Sequence, residues 1–294
     1  MRKITLILPV YNDWESLKFL LGKVEKLLNK KKYVFQVLIV NDNSTMINKK
    51  NLNQNKLFKN INIINLKVNI GSQKAIATGI KYIAKNPKKF GDEFIIMDSD
   101  GEDDYTKIGK ILDYTKENSE ISVVTVNRSS RKESLIFRFL YEIHLIITFF
   151  LTFKYIRYGN YSYLNYKALK FISRKKELWL AYSASLEKNF QNKKSIIAAR
   201  KKRFMGRSKM NYLQLFSHSI KIHLVFIKRI FINYFFYSLF FIFISKFEIF
   251  NFTATLFFIF LFLHILTLIT VNIFSSEIKF FESLRNIKSI DLLK

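Results

Sequence analysis

The stretch from Phe94 to Asp104 reads FIIMDSDGEDD and sets a short apolar run directly before five carboxylates. Such a run is typical of a strand buried on both faces. Carboxylates crowded at a strand end repel one another unless a cation neutralises them, and hard oxygen ligands suit Mg²⁺ or Mn²⁺. The stretch therefore predicts a metal and diphosphate site, although Asp103 or Asp104 could simply cap the next helix.

Similar apolar runs alternate with helical patterns over the first 127 residues. This alternation indicates βαβ units, so the predicted fold class is α/β with a mostly parallel central sheet. The N-terminal run is too short for a signal peptide and contains Pro9, so we interpret it as the first strand. The predicted strands are Ile4–Leu8, Phe35–Val40, Ile61–Leu66, Phe94–Met97 and Ile121–Val126, and the predicted helices are Trp14–Leu28, Gln73–Ala84 and Thr106–Glu117.

Polar residues follow most of these strands, at the edge where such sheets bind their ligands. Asn69 and Gly71 open the helix at Gln73, so a glycine turn and a helix N-terminus lie where a diphosphate could bind. An ordinary glycine turn would give the same pattern. The sequence contains neither G-x-G-x-x-G nor G-x-x-x-x-G-K-[ST], which removes support for a dinucleotide fold or a P-loop.

Two charge-free runs near the C-terminus predict a membrane hairpin. They are Ile230–Ser245, with 16 residues, and Ile249–Phe274, with 26. The second would form roughly 39 Å of helix, enough to cross a hydrocarbon core of about 30 Å with tilt. The first reaches only about 24 Å, so it spans only if Leu224 to Ile227 join it and flanking basic residues reach the interfaces.

Basic residues on both flanks predict the orientation of this hairpin. Lys193 to Arg229 contains eleven Lys or Arg and no acid, so the positive-inside rule places both termini in the cytoplasm. We expect an α/β domain with juxtamembrane helices at 1–220, a hairpin at 221–274 and a cytoplasmic amphipathic tail at 275–294. The apolar stretch from Ser134 to Thr152 fits either an interfacial helix or a core helix.

The composition narrows the class of protein further. The 294 residues carry a formal charge of +27, and 49% are hydrophobic, which excludes disordered and collagen-like chains. Because there is no Cys, a disulfide scaffold, a Cys-ligated metal and a thiol nucleophile are also excluded. A basic excess can indicate nucleic acid or an anionic membrane. The abundance of Lys, Asn, Ile and Phe is typical of AT-biased codon usage, so we expect no nucleic-acid partner.

A series of motifs in order resembles the family 2 glycosyltransferases of GT-A fold. LPVYND (8–13) resembles the family's P-x-Y-N-E, and VNDNS (40–44) its V-D-D-x-S. NIGSQKAIATGI (69–80) is similar to its N-x-G-x-x-x-A-x-x-x-G helix start, and MDSDGEDD (97–104) to its D-x-D loop. RSSRKES (128–134), YGNYS (158–162) and RKKRFMGRSKMN (200–211) resemble the branch with dolichyl-phosphate mannose synthase and bacterial polyprenyl-phosphate glycosyltransferases.

The resemblance implies a membrane enzyme that uses a UDP- or GDP-sugar together with Mg²⁺ or Mn²⁺. The site residues predicted from the strand ends and from the resemblance fall into four sets. They are Pro9, Tyr11, Asp13, Asp42, Asn69, Gly71 and Asp98 for the nucleotide sugar; Asp100 and Glu102 for the metal; Asp100, Arg128, Arg131 and Arg203 for catalysis; and Arg200, Arg203 and Lys209 for the acceptor phosphate.

Several positions depart from the family's pattern. Asp13 replaces the usual Glu, Asn41 replaces the first Asp of D-D-x-S, and Glu102 stands where better-known members have Gln. The added charge at Glu102 favours metal binding but leaves the sugar open. The Pro usually found near Asp104 is missing, which leaves the shape of that loop open.

The chemistry of the acceptor decides whether a base is needed. A hydroxyl needs a carboxylate to take its proton, for which Asp103 or Asp104 are candidates. A phosphate monoester, with a second pKa of about 6, is largely dianionic at neutral pH and needs cations instead. The basic run at 200–209 favours a polyprenyl phosphate and single displacement with inversion. The alternatives are transfer to a hydroxyl of a lipid-linked or cell-surface glycan and a non-catalytic basic membrane scaffold, and a homo-oligomer is possible.

Overall fold

The structure is a computed structural model that describes residues 2–28, 33–47, 52, 57–129, 135–206, 212–247, 251–275 and 277–293. It divides into two compact units. The sheet unit comprises residues 1–132, 157–208 and 278–294, and the helical unit comprises residues 133–156 and 209–277.

An eight-stranded mixed sheet forms the centre of the sheet unit. The strands are β1 (Arg2–Val10), β2 (Tyr33–Asn41), β3 (Phe58–Leu66), β4 (Glu93–Ile96), β5 (Val123–Arg128), β6 (Tyr158–Asn165), β7 (Lys194–Ala198) and β8 (Ile287–Leu292), in the order β7-β5-β6-β4-β1-β2-β3-β8. The pairs β1–β2, β2–β3, β1–β4 and β5–β7 are parallel, and the pairs β3–β8, β4–β6 and β5–β6 are antiparallel. The predicted α/β class with a mostly parallel sheet is confirmed.

Helices cover the central strands, which explains why those strands are apolar on both faces. Leu6, Leu8 and Val37 are fully buried in one core with Leu17 and Ile111. These last two lie on helices whose positions agree with the prediction. The helices of the sheet unit are α1 (Trp14–Leu28), α2 (Ser72–Lys85), α3 (Lys107–Glu117), α5 (Tyr166–Ile172), α6 (Tyr182–Asn189) and, leading into β8, α10 (Glu277–Phe281).

The C-terminal segment joins the sheet, which differs from the division into segments expected from the sequence. The tail expected at 275–294 contains β8, which pairs antiparallel with β3 from Asn62↔Leu292 to Leu66↔Ile287. The expected first segment, 1–220, is also interrupted, because residues 133–156 belong to the helical unit. The C-terminal segment joins the sheet because β3 would otherwise be an edge strand with unpaired backbone N–H and C=O groups. Strand β8 forms hydrogen bonds with those groups.

The helical unit contains α4 (Leu135–Thr152), α7 (Tyr212–Val225), α8 (Ile227–Ile244) and α9 (Asn251–Ser275). Ile227–Ile244 and Asn251–Ile273 are long and apolar enough to cross a membrane. Phe226 separates α7 from α8, so Leu224 and Val225 do not lengthen the first apolar helix as expected. Most of the two apolar helices is not buried inside the protein, and side chains such as Phe262 are exposed.

Three histidines inside the helical unit form a continuous hydrogen-bond chain. The contacts join Tyr234 to His264 Nδ1 at 2.5 Å, His264 Nε2 to His223 Nδ1 at 3.0 Å, and His223 Nε2 to Thr148 at 3.0 Å. Thr148 continues to His144 Nδ1 at 3.3 Å. The chain satisfies polar groups that these apolar helices would otherwise bury alone.

Candidate active site

Asp98, in the loop after β4, is held in place by Asp103 of the same loop, by Asn160 on β6 and by Arg128 on β5. Its backbone N–H donates to Asp103 Oδ2 at 2.9 Å, and its Oδ1 accepts from Asn160 Nδ2 at 2.8 Å. The Arg128 guanidinium lies 3.9 Å from its Oδ2. The adjacent Ser99 hydroxyl donates to the carbonyl of Pro9 at 2.8 Å, which joins this loop to the end of β1.

Asn160 and Gln73 are functional candidates that the sequence analysis did not identify. Gln73 Nε2 donates to Asn160 Oδ1 at 2.9 Å, and Gln73 Oε1 accepts from the backbone N–H of Tyr182 at 2.8 Å. Both residues lie inside quoted motifs, NIGSQKA and YGNYS, but neither motif indicates that Asn160 contacts Asp98 or that Gln73 contacts Asn160. The pairing of Ile96 with Ser162 in β4 and β6 brings Asn160 level with Asp98.

Arginines of the segment 200–206 pair with the carboxylates of the D-x-D loop. Arg203 lies 2.5 Å from Asp13 Oδ2 and 3.3 Å from Asp100 Oδ2, and Arg200 pairs with Glu102. Two backbone hydrogen bonds fix the segment, from the N–H of Phe204 to the carbonyl of Asp100 and from Lys201 to Glu102, both 2.9 Å long. The site thus brings cations and carboxylates together at one edge of the sheet.

The electrostatics around Asp100 favour a bound cation. Burial, with repulsion by Asp98 and Glu102, raises the pKa of Asp100 to about 7, although the Glu102 N–H and Arg203 oppose that shift. Burial and Asp98 likewise raise the pKa of Asp103 to about 6, against the opposing effect of Arg128. A second positive charge near Asp100 would relieve this repulsion.

Asp103 and Asp104 are both engaged in local structure. Asp103 is 4% exposed, accepts from the N–H of Asp98 and lies 3.5 Å from Arg128. Asp104 accepts from the hydroxyl of Thr106 at 2.7 Å and from its N–H at 3.2 Å, just before α3. Asp104 therefore stabilises the turn that precedes α3, whose N-cap is Thr106, while Asp103 holds the backbone of Asp98.

A second group of predicted residues lies at the ends of β2 and β3. The two oxygens of Asp42 accept from the N–H groups of Ile70 and Gly71, each at 2.8 Å. Asn69 Oδ1 accepts from the same Gly71 N–H at 3.2 Å. Gly71 has a φ of 85°, which favours glycine, and it directly precedes α2. Here the carboxylate of Asp42 organises the turn; burial raises its pKa, and the two N–H groups partly offset that effect.

The remaining predicted residues of the site lie just after β1, and the segment 200–206 packs against the D-x-D loop. Tyr11 is 38% exposed, and the carbonyl of Asp13 accepts the first helical hydrogen bond of α1, from Leu17. Phe204 lies directly over Gly101, where a Cβ would come within 2.3 Å of the Phe204 ring. Arg131 and Lys209, which were predicted for catalysis and for the acceptor phosphate, lie outside the described residues.

The carboxylates of this site fit a divalent cation that a bound substrate would also ligate. Within the described ranges, no group of three or more His, Cys, Asp or Glu side chains could hold a metal alone. Mg²⁺ in phosphate-handling sites is usually held by one or two carboxylates together with substrate phosphates and water. Asp100 and Glu102 supply carboxylates of that kind, so a protein-only cage is not needed.

The sheet is mostly parallel and carries carboxylates at the carboxyl end of β4, and its fold is like that of GT-A glycosyltransferases. The family model "Glycosyl transferase family 2" matches residues 5–176, which is more than half of the chain. The chain therefore belongs to glycosyl transferase family 2, as the motifs predicted, and it is a glycosyltransferase.

Individual relatives are distant. The chain is 23% identical over 230 residues to the uncharacterized glycosyltransferase sll0501 of Synechocystis sp., covering 74% of this chain and 67% of that protein. The crystal structure of mannosyl-3-phosphoglycerate synthase from Rubrobacter xylanophilus superposes with a TM-score of 0.51 at 11% identity, over 78% of this chain and 74% of that one. S. aureus TarS, with a TM-score of 0.46 and 15% identity, is matched over 67% of this chain but only 36% of its own length.

Proposed function

We propose that the protein is a membrane-bound inverting glycosyltransferase that moves a sugar from a UDP- or GDP-sugar to a polyprenyl phosphate. The observation that carries this proposal is the cluster of Asp98, Asp100 and Glu102 with Arg128 and Arg203 at the carboxyl end of β4. Anionic and cationic groups meet there at the edge where parallel sheets bind their ligands.

The donor half of the reaction needs charge stabilisation. Asp100 and Glu102 would hold a divalent cation, which supplies electrostatic stabilisation of the departing nucleoside diphosphate. Arg203 and Arg200, which lie beside those carboxylates, would bind phosphate oxygens. Asp98, held by Asn160 and Asp103, would accept a hydrogen bond from the sugar. Pro9, Tyr11, Asp13 and Asp42 are assigned to the nucleoside end.

The acceptor half favours a phosphate over a hydroxyl. A hydroxyl would need a general base, and both acidic candidates are engaged, Asp103 with Asp98 and Arg128 and Asp104 with Thr106. A phosphate monoester already carries its charge at neutral pH and needs cations. Arg200 and Arg203 provide them, and Arg131 and Lys209 are assigned the same role by motif.

The two apolar helices support a lipid acceptor. They have the length of membrane spans and keep most of their apolar surface unburied, unlike the core helix of a soluble protein. Strand β8 follows both helices in the chain but pairs with β3, which precedes them. If both helices cross, they must therefore do so as a hairpin with the sheet unit on one side, for which the basic flanks favour the cytoplasm.

The test is transfer in nanodiscs. Purified protein with Mg²⁺ or Mn²⁺ is mixed with labelled UDP- and GDP-sugars and a polyprenyl phosphate. Asp100→Ala is compared with Glu117→Ala, which removes an exposed carboxylate on α3. We expect metal-dependent label in a lipid that mild acid cleaves, lost in Asp100→Ala and kept in Glu117→Ala.

The other outcomes separate the alternatives. Nucleotide binding with label in an acid-stable product would move the acceptor to a hydroxyl. A wild-type protein that binds no nucleotide in the presence of metal would overturn the proposal and favour a non-catalytic scaffold. Equal transfer by Asp100→Ala and wild type would exclude the assigned metal site.

A further inference from the structure

A chain of side-chain hydrogen bonds runs from the last strand to the loop after β2. Asn65 Nδ2 on β3 donates to Asp291 Oδ2 and to Ser289 Oγ on β8, both at 2.9 Å. Asn65 Oδ1 accepts from Asn41 Nδ2 at 2.9 Å, and Asn41 Oδ1 accepts from the Ser44 N–H at 3.0 Å. The C-terminal strand is thus connected to residues that immediately follow β2.

The loop reached by this chain adjoins the nucleoside end of the proposed site. The Ser44 hydroxyl accepts from the Asn12 N–H at 2.9 Å, and Asn12 Oδ1 accepts from the N–H groups of Thr45 and Met46 at 2.8 and 3.2 Å. Asn12 and Asn43 have positive φ angles of 50° and 57°. Such backbone conformations persist only where surrounding contacts determine them. The loop therefore depends on its side-chain hydrogen bonds for its shape.

The side chains that form this chain of hydrogen bonds are mostly buried, so each of its hydrogen bonds matters for stability. Asn41 is 1% exposed, and Asn65 and Ser44 are each 8% exposed, so water has little access to replace a lost partner. A buried polar group that loses its partner is destabilised more than an exposed one. Networks of this kind hold one geometry when every member is satisfied.

The carboxylate of Asp291 sets the direction of the whole chain. An ionised carboxylate only accepts hydrogen bonds, so Asn65 must present its NH₂ group to Asp291 and its oxygen to Asn41. Asn41 must then donate to Asn65, which leaves its own oxygen for the Ser44 N–H. An Asp at position 41 would have no proton for Asn65. Asn41 stands where the family pattern has the first Asp of D-D-x-S. An Asn is needed there because Asn65, which donates to Asp291, requires a hydrogen-bond donor at position 41.

We propose that Asp291 is a positioning residue for nucleotide binding. It acts through Asn65 and Asn41 to hold the loop at residues 42–47 against Asn12. The inference rests on the proposed function only in that this loop is assigned to the nucleoside. The C-terminal strand is accordingly connected to the proposed donor site through the side chains of Asn65 and Asn41.

A reciprocal exchange tests this pairing. Asn65→Asp places two carboxylates together and should weaken nucleotide binding. Asn65→Asp combined with Asp291→Asn restores one acceptor and one donor, so it should rescue binding. Lys288→Ala, an exposed change on the same strand, is the matched control. Full-length variants in nanodiscs are compared by calorimetry with UDP and with GDP, each with Mn²⁺, and by hydrogen exchange of residues 42–47 without nucleotide.

We expect the Kd of the better nucleotide to rise about tenfold in Asn65→Asp, as the loss of one well-made buried hydrogen bond predicts. The double variant should return within about twofold of wild type, and exchange at 42–47 should follow the same order. Failure of the double variant to recover, or unchanged exchange and Kd in Asn65→Asp, overturns the inference. If the wild type binds neither nucleotide, the proposed function fails and the nucleotide-binding part of the inference fails with it, while the exchange data still decide whether Asp291 holds the loop at residues 42–47.

Discussion

Asp98 is surrounded by groups that fix its orientation before any ligand arrives. Asn160 and Asp103 hold it by hydrogen bonds, and Arg128 lies beside it. An acidic group oriented in this way loses little further freedom when it binds a sugar hydroxyl, which favours affinity. At the scale of single residues, the site therefore depends on neutral amides as much as on its charges.

Asn160 provides the sharpest test at this scale. Asn160→Ala removes one donor to Asp98, and we expect about a five- to tenfold loss of donor-sugar affinity. Asn160→Asp should lose more, because it adds a like charge at the same place. The measurement is the KM for the nucleotide sugar.

Asn165 supplies the matched control on the same strand. Its side chain caps α5 by accepting from the Ala168 N–H at 2.9 Å, at the other end of β6. Asn165→Ala should lower the thermal midpoint but leave the KM unchanged. Equal KM values for Asn160→Asp and wild type would show that Asn160 does not orient Asp98 during turnover.

Among the structural elements, the segment at 200–206 closes over the D-x-D loop through Phe204. The ring packs edge-on against Phe19 with centroids 5.1 Å apart, and it lies over Gly101, whose φ is 87°. Position 101 consequently needs glycine for two reasons, the backbone angle and the space under the ring.

Gly101→Ala separates these two reasons. The added Cβ would force Phe204 away and carry Arg203 with it, so transfer should fall at least tenfold, measured as kcat/KM. In a Phe204→Ala background the clash is absent, and only the strain of positive φ remains, about 1–2 kcal/mol on denaturant unfolding. If Gly101→Ala is as harmful to activity without the ring as with it, Phe204 is not the contact that matters.

Helix α9 carries a prediction of its own, at His264. His264→Phe keeps the stacking on Phe260, whose ring centroid lies 5.8 Å away, but leaves the partners His223 and Tyr234 unsatisfied. We expect a loss on the order of 1–3 kcal/mol in unfolding free energy, seen as a lower thermal midpoint in detergent. Leu266→Phe, on an exposed face of the same helix, is the control. Equal midpoints for the two variants would contradict a structural role for the histidine chain.

The elements that could be predicted from sequence are those with strong local signals. Strands β1 to β4 contain short runs rich in Ile, Leu, Val and Phe, and α1 to α3 have a clear helical period. Strand β8 was not predicted, because it has only two half-buried residues in an exposed pattern and its partner β3 lies more than 200 residues earlier. Likewise, crowded carboxylates indicated Asp98 and Asp100, whereas Asn160 is recognisable only from the register of β6 against β4.

At the scale of the whole molecule, the proposed hairpin makes a prediction about sidedness. The chain has no cysteine, so one introduced thiol is labelled uniquely. Phe247→Cys lies between the two apolar helices, and Lys288→Cys lies on β8. A membrane-impermeant maleimide should label the first in intact cells and the second only after permeabilisation.

The control for this labelling is the same pair of variants in detergent, where both thiols should react. Reaction of both thiols in intact cells, or of neither, would contradict a hairpin that crosses twice. Labelling of Lys288→Cys alone in intact cells would reverse the proposed orientation. Activity in each single-cysteine variant would show that the labelled protein is folded.

Strand β8 also imposes an order on biosynthesis. Since β8 is encoded after α8 and α9, it can pair with β3 only once both apolar helices have emerged from the ribosome. Both apolar helices are then already available to the insertion machinery. A nascent chain cut short by a premature stop codon anywhere before Ile287 would lack the strand that braces Asn65. Translation thus supplies the strand that holds Asn65 only after both candidate membrane spans have been made.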